Sequence, residues 1–258
     1  MLYPSYRAIA DLPLADRVAE MRKPEVRARI LADKPAADGH PLLYLAQAWD
    51  WIFPLDDEPD YEPDASTSIA ARARARARGV SPMEEAYDRL LDDDGHAMLL
   101  VAMGNYENNS LDTVGRLMRR DDVVLGLGDG GAHYGMICDA SFPTFLLAHW
   151  TRDRASGRLS VVEAVRELTS VPARVAGLAD RGRIAVGYKA DVNVIDHAAL
   201  RLHRPVITHD LPAGGRRLDQ TADGYVATIV SGEVIAENGR PTEARPGKLV
   251  RGRQPAPA

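Results

Sequence analysis

Apolar residues recur at helical spacing between residues 14 and 33. Leu14, Val18 and Met21 form one stripe, Pro24 interrupts it, and Val26, Ile30 and Leu31 resume it. The spacing predicts two helices meeting at the proline. Residues 42–53 are apolar and aromatic, and core packing is the expected use of Trp49 and Trp51. Residues 56–64 form an acidic, proline-punctuated stretch without the spacing of a calcium loop, so they read as solvated surface. Residues 68–78 then alternate alanine with Arg72, Arg74, Arg76 and Arg78. A helix suits both residue types and spreads the charges around its axis. The run leads to Ser81-Pro82-Met83-Glu84, a helix start with serine as N-cap and proline in the first turn.

The period changes further along. Residues 97–103 are continuously apolar and read as a buried strand closing on Gly104-Asn105-Tyr106; residues 111–118 read as a helix. A second short apolar run, residues 123–127, begins with two β-branched residues and enters a glycine-rich segment, Gly126-Leu127-Gly128-Asp129-Gly130-Gly131. Residues 145–152 and 159–178 follow as helices. Ser160 caps the latter with Glu163 in a capping box, and Val161, Val165, Leu168 and Val175 fall near one face. Alternating strands and helices predict a parallel sheet. From residue 181 the pattern breaks into short strand-like runs at 184–186, 192–195, 226–230 and 234–236. Turns at Gly187, Ser231-Gly232 and Asn238-Gly239 separate them, and an irregular tail starts at Pro246.

Two or three strand–helix units are too few to close an α/β barrel, which takes eight. The expected fold class is therefore α/β, the C-terminal part of a (β/α)8 TIM-type barrel followed by a small β-subdomain. Residues 1–180 are assigned to the barrel part, with a helical insertion over the first 95, and residues 181–258 to the β-subdomain. An apolar content of 45% is ordinary for a globular chain of 258 residues, and a formal net charge of −5 argues against a dedicated nucleic-acid binder. Cys138 is the lone cysteine, which excludes an internal disulfide and a cysteine zinc cage. No apolar run approaches membrane-spanning length and no basic-then-apolar leader opens the chain, so a soluble cytoplasmic protein with no membrane partner is expected.

The glycine-rich segment holds the candidate chemistry. A carboxylate between glycines at the end of a buried strand has little bulk around it, so water, a metal or a substrate can reach it. Strand carboxyl ends are also where α/β active sites sit. Asp129 is the expected catalytic residue. Gly126, Gly128 and Gly131 also match the dinucleotide fingerprint, but Asp129 would place a negative charge in the phosphate cradle and no helix opens on the third glycine. A glycine-rich turn with Asp129 as turn former is the remaining alternative. His133 lies four residues on, as a substrate contact or as a structural histidine bonding a loop carbonyl. Asn105 and Tyr106 close the preceding strand and are candidate substrate-binding residues of the same rim. Asp139 and Asp191 read as structural, Cys138 as packing, and Arg152 and Arg154 as an exposed helix end. Seven histidines include no His-x-His and no His-Glu-x-x-His pair.

The run from Gly126 to His133, followed by Cys138-Asp139-Ala140-Ser141-Phe142-Pro143-Thr144, resembles the amidohydrolase superfamily, most closely its D-aminoacylase (N-acyl-D-amino-acid deacylase) branch. Leu178-Ala179-Asp180-Arg181-Gly182, Gly187-Tyr188-Lys189-Ala190-Asp191, His209-Asp210-Leu211-Pro212-Ala213-Gly214-Gly215 and Pro246-Gly247-Lys248-Leu249-Val250 resemble it in family order. The resemblance implies a metal-dependent barrel with a small β domain. Asp129 would stand at the end of the last barrel strand, beside the metal, and handle the proton of the attacking water. It also implies zinc or another divalent metal held mostly by residues on earlier strands that this chain does not carry. The implied substrate is an N-acyl amino acid or related amide, and a separate N-terminal half-chain is an expected partner. A non-catalytic fragment or subunit, a different amidohydrolase reaction such as cyclic-amide opening or deamination, and a homo-oligomer all stay open.

Overall fold

The structure, a computed structural model, describes residues 2–35, 42–102, 104–126, 128, 135, 136 and 138–257. The chain divides into two compact units, Met1–Thr113 and Val114–Ala258.

In the first unit the proline at 24 separates helices Leu14–Met21 and Pro24–Ala32, as its missing N–H requires. Met21, Val26, Ile30 and Tyr87 make one buried cluster, with the Tyr87 hydroxyl donating 2.7 Å to the Met21 carbonyl. Ser81 and Glu84 close a capping box on helix Pro82–Leu90, so the predicted helix start holds, while the helix expected over 68–78 is capped by Ser68 and ends at Ala75. The arginine run is absorbed locally. Arg76 pairs with Asp88 at 2.8 Å and with Glu85 at 3.2 Å, and Glu85, buried, also meets Arg89 at 3.3 Å. Ile52, Ile69 and Ala86 form a second cluster against which Trp49 packs, whereas Trp51 is exposed, contrary to the core role expected for it.

Strand β1 (Ile52–Leu55) pairs antiparallel with β2 (Met98–Val101), Ile52 opposite Val101. This corrects the expected parallel partner for residues 97–103. The predicted second strand is also corrected: Val123 to Gly126 join no ladder among the described residues, and Val124 is exposed. A strand is held by its neighbour, and no described strand pairs with this one. No ring of parallel strands closes among the described residues, and every pairing between strands is antiparallel.

The second unit is built around Trp150, which is 2% exposed. Helix Phe142–Ala148 runs into a wide turn, His149–Asp153, that places Arg154 over the Trp150 ring at 4.5 Å. The predicted helix over residues 159–178 starts with the Ser160–Glu163 capping box but breaks at Thr169 into Val161–Leu168 and Ser170–Val175. The first helix buries Ala164 and Glu167 and the second Val171, while Val161, Val165 and Val175 are exposed, contrary to the face expected to pack. Residues 184–186 form no strand.

Four antiparallel strands form the main sheet, in the order β10 (Arg240–Pro241), β9 (Glu233–Glu237), β8 (Tyr225–Val230) and β3 (Val192–Ile195). The β8–β9 turn has positive φ at Ser231 (52°) and Gly232 (85°), and the β9–β10 turn at Asn238 (47°) and Gly239 (74°). Such turns match the twist of the strands they join. Two further pairs were not predicted: β4 (Arg201–Leu202) with β7 (Ala222–Asp223), and β5 (Val206–Leu211) with β6 (Gly215–Asp219). The tail is irregular as expected, yet Gln254 is tied to Gly177 and Ala179 by backbone bonds of 2.9 and 3.0 Å.

Candidate active site

Asp129 and His133 lie outside the described residues, so their environment is defined by what flanks them. Gly126 has open space where a side chain would stand, whereas a Cβ on Gly128 would come within 2.9 Å of the Asp139 carbonyl carbon. The two ends of the segment carrying Asp129 therefore meet backbone to backbone, and only glycine allows that approach. Beyond it, the Ser141 hydroxyl donates 3.1 Å to the Cys138 carbonyl, and residues 139–141 make one tight turn that opens helix Phe142–Ala148.

This base is latched onto the β part of the same unit. The Cys138 thiol lies 3.7 Å from the Gln220 side-chain oxygen, and the Gln220 amide nitrogen donates 2.7 Å to the His203 carbonyl. Thr144 and Tyr225 share a hydroxyl–hydroxyl bond of 2.8 Å. Sequence reading missed Gln220 and Tyr225 because a lone polar residue in a strand-rich stretch carries no spacing signal.

The other candidate residues fall elsewhere. Asn105 is exposed, and Tyr106 is buried in the first unit with its hydroxyl donating to the Pro63 carbonyl and its ring edge-on to Phe53. Burial pushes the Tyr106 phenol up to about 12, helped by the carboxylates of Asp60, Asp64 and Glu62. The acidic loop is mostly exposed, as expected, with Asp56, Asp57, Glu58, Asp60 and Asp64 open to water and Glu62 accepting from the Leu111 backbone at 2.8 Å. Arg152 is engaged, donating to the carbonyls of His197, Ala198 (3.1 Å) and Leu200 (2.7 Å) while paired with Asp153. That pairing holds the Asp153 carboxyl below the usual range. Arg154 is buried, so neither arginine is the exposed helix end expected. Asp191 is structural as anticipated, accepting 2.8 Å from the Ser231 backbone.

His197 and His203 make structural contacts. His197 bridges the Thr151 hydroxyl (2.7 Å) and the Leu147 carbonyl (3.1 Å), and His203 meets Asp223 at 3.0 Å. His203 and Arg201 together hold the Asp223 carboxyl low. Among the described residues no group of three or more His, Cys, Asp or Glu is placed to hold a metal ion. A catalytic zinc generally takes three protein ligands, so the donors described do not make up such a site. No helix among the described residues is long and apolar enough to cross a membrane.

Residues 2–236, a span that includes the Gly128–Asp139 closure, match the amidohydrolase family, and the chain belongs to that family. It is similar to an N-acyl-D-glutamate deacylase of Alcaligenes xylosoxydans xylosoxydans, 38% identical over 98 residues, which are 38% of this chain and 18% of the relative. It is also similar to the crystal structure of a D-aminoacylase, 22% identical, covering 75% of this chain and 36% of that one with a TM-score of 0.38. A D-aminoacylase mutant in complex with copper chloride gives the same coverage with a TM-score of 0.36. The chain thus spans well under half the length of these relatives.

Proposed function

We propose that this chain is the C-terminal part of a barrel amidohydrolase that cleaves the amide bond of N-acyl amino acids, with Asp129 as its proton-transfer residue. The carrying observation is family membership across residues 2–236, which embraces the glycine-flanked Asp129. The name of the deacylase relative supports a D-configured N-acyl amino acid as substrate. Asp129 takes a proton from the attacking water as its oxygen adds to the scissile carbonyl, then returns it to the amine nitrogen as the C–N bond breaks. His133 borders the same segment and is assigned to the substrate. A divalent metal, zinc by the resemblance, would supply Lewis-acid polarisation of that carbonyl, and its ligands would come mainly from outside this chain.

That this chain works with further barrel elements is supported by its length, since its match covers 18% of the deacylase relative. The test is expression of this chain together with the coding sequence upstream of it, followed by assay of amine release from N-acetyl-D-glutamate and N-acetyl-D-leucine, with the L forms as controls. Hydrolysis of the D forms is expected. A folded, zinc-supplemented preparation that cleaves none of these would overturn the proposal.

A further inference from the structure

The first unit contains a cavity of about 370 Å³ lined wholly by residues between Tyr3 and Gly95. Its walls are apolar: Val18, Met21, Ile30 and Met83 come from three helices, and Trp49 from the turn before β1. Leu90, 41% exposed, stands on the lining and marks a side open to water. A cavity of about 150 Å³ already accepts benzene, so this one has room for roughly twice as many carbons.

The polar groups on the lining all carry donors. Arg17 is the one cation there and no lining residue is a carboxylate. Its guanidinium gives one N–H to the Ala10 carbonyl at 2.8 Å and has no carboxylate partner among the described residues. The phenols of Tyr3 and Tyr6 line the same space. Burial raises the Tyr3 phenol, which keeps its proton at neutral pH. The Tyr87 hydroxyl is already committed to Met21. Apolar walls with a few convergent polar groups are the usual build of a small-molecule site. A guanidinium with spare N–H groups beside hydroxyl donors selects an acceptor-only anion.

We infer that this cavity binds an apolar monocarboxylate of medium chain length, its carboxylate on Arg17 and its hydrocarbon among Val18, Met21, Ile30 and Met83. The inference goes beyond the proposed deacylase reaction and makes no use of Asp129.

Decanoate is the probe, titrated into the full 258-residue chain by calorimetry, with decanol and decylammonium as length-matched controls. Decanoate should bind at least about tenfold more tightly than either control. Arg17→Gln keeps a donor for the Ala10 carbonyl but removes the charge; it should abolish that preference and leave decanol affinity unchanged. Met83→Trp should fill the cavity and suppress decanoate and decanol together, with circular dichroism showing both variants folded. Equal affinities for decanoate and decanol, an unchanged preference in Arg17→Gln, or no decanoate binding to the parent chain at about 1 mM would each overturn the inference.

Discussion

The backbone of Gly128 abuts the backbone of Asp139, so closely that a methyl group on residue 128 would fall within 2.9 Å of the Asp139 carbonyl carbon. The contact joins two residues that stand eleven positions apart in the chain, on either side of Asp129 and His133. The obstacle is backbone, so it cannot swing aside as a flexible side chain would.

Gly128→Ala should therefore destabilise the chain by about 1–3 kcal/mol, the usual range for forcing an extra methyl into a packed site. Urea denaturation measures it. Gly126→Ala, where the Cβ would meet open space, is the matched control and should cost less.

Asp129→Asn, made in the complete enzyme, should lower turnover by about 10²–10⁴-fold or more while metal content and melting temperature stay near the parent values. The amide keeps the shape of the carboxylate but cannot accept the proton. A turn-forming aspartate would show the opposite split, with lower melting temperature and turnover per folded molecule unchanged.

Tyr106→Phe removes the hydroxyl that donates to the Pro63 carbonyl. The expected loss is about 1 kcal/mol, with KM for the N-acyl amino acid unchanged, because the side chain is buried and bonded inside the first unit. The folded-state phenol lies at about 12, above its ordinary value near 10, so folding favours the neutral form. Its contribution is complete below pH about 10 and is lost as pH rises towards 12. The variant should flatten that alkaline limb in denaturation measured between these values.

Arg152→Leu should cost about 2 kcal/mol, since the carbonyls of His197, Ala198 and Leu200 lose a charged donor, and Leu200 itself is fully buried. The same arginine sets an acid limb. Asp153 is held below its ordinary value by Arg152, so its contribution is present above pH about 4 and fades as pH falls through the lowered value. Asp153→Asn should shift the acid midpoint of unfolding towards that of Arg152→Leu, read by circular dichroism across that window.

Local signals carried furthest in reading the sequence. Ser81 and Ser160 mark helix starts because a cap is a short-range hydrogen bond, and both stand where expected, as does the break at Pro24. The Ser231-Gly232 and Asn238-Gly239 turns held for the same reason. Pairing partners were harder to read. β2 was legible as a strand, but its antiparallel mate β1 lies more than forty residues earlier, behind a proline-containing acidic loop. Residues 123–127 have the composition of a strand, but Val123 to Gly126 join no ladder among the described residues. The valines at 161, 165 and 175 have the spacing of a packed face, yet spacing says only that a face exists. For the site, the sequence identified the glycine-rich segment, while its latch through Cys138 and Gln220 depends on a contact across 82 residues.

Strands β8, β9 and β10 are joined by two-residue turns that need almost no loop closure, whereas β3 reaches β8 only across some thirty residues. Short-range closure is fast and long-range closure slow. The ribbon from Tyr225 to Pro241 is therefore the part of the β unit able to zip up first, within microseconds of its turns forming, and it offers β3 a ready-made edge. In a chain emerging from the ribosome, β3 is made before that template, so it waits for its partner with its backbone bonded to water.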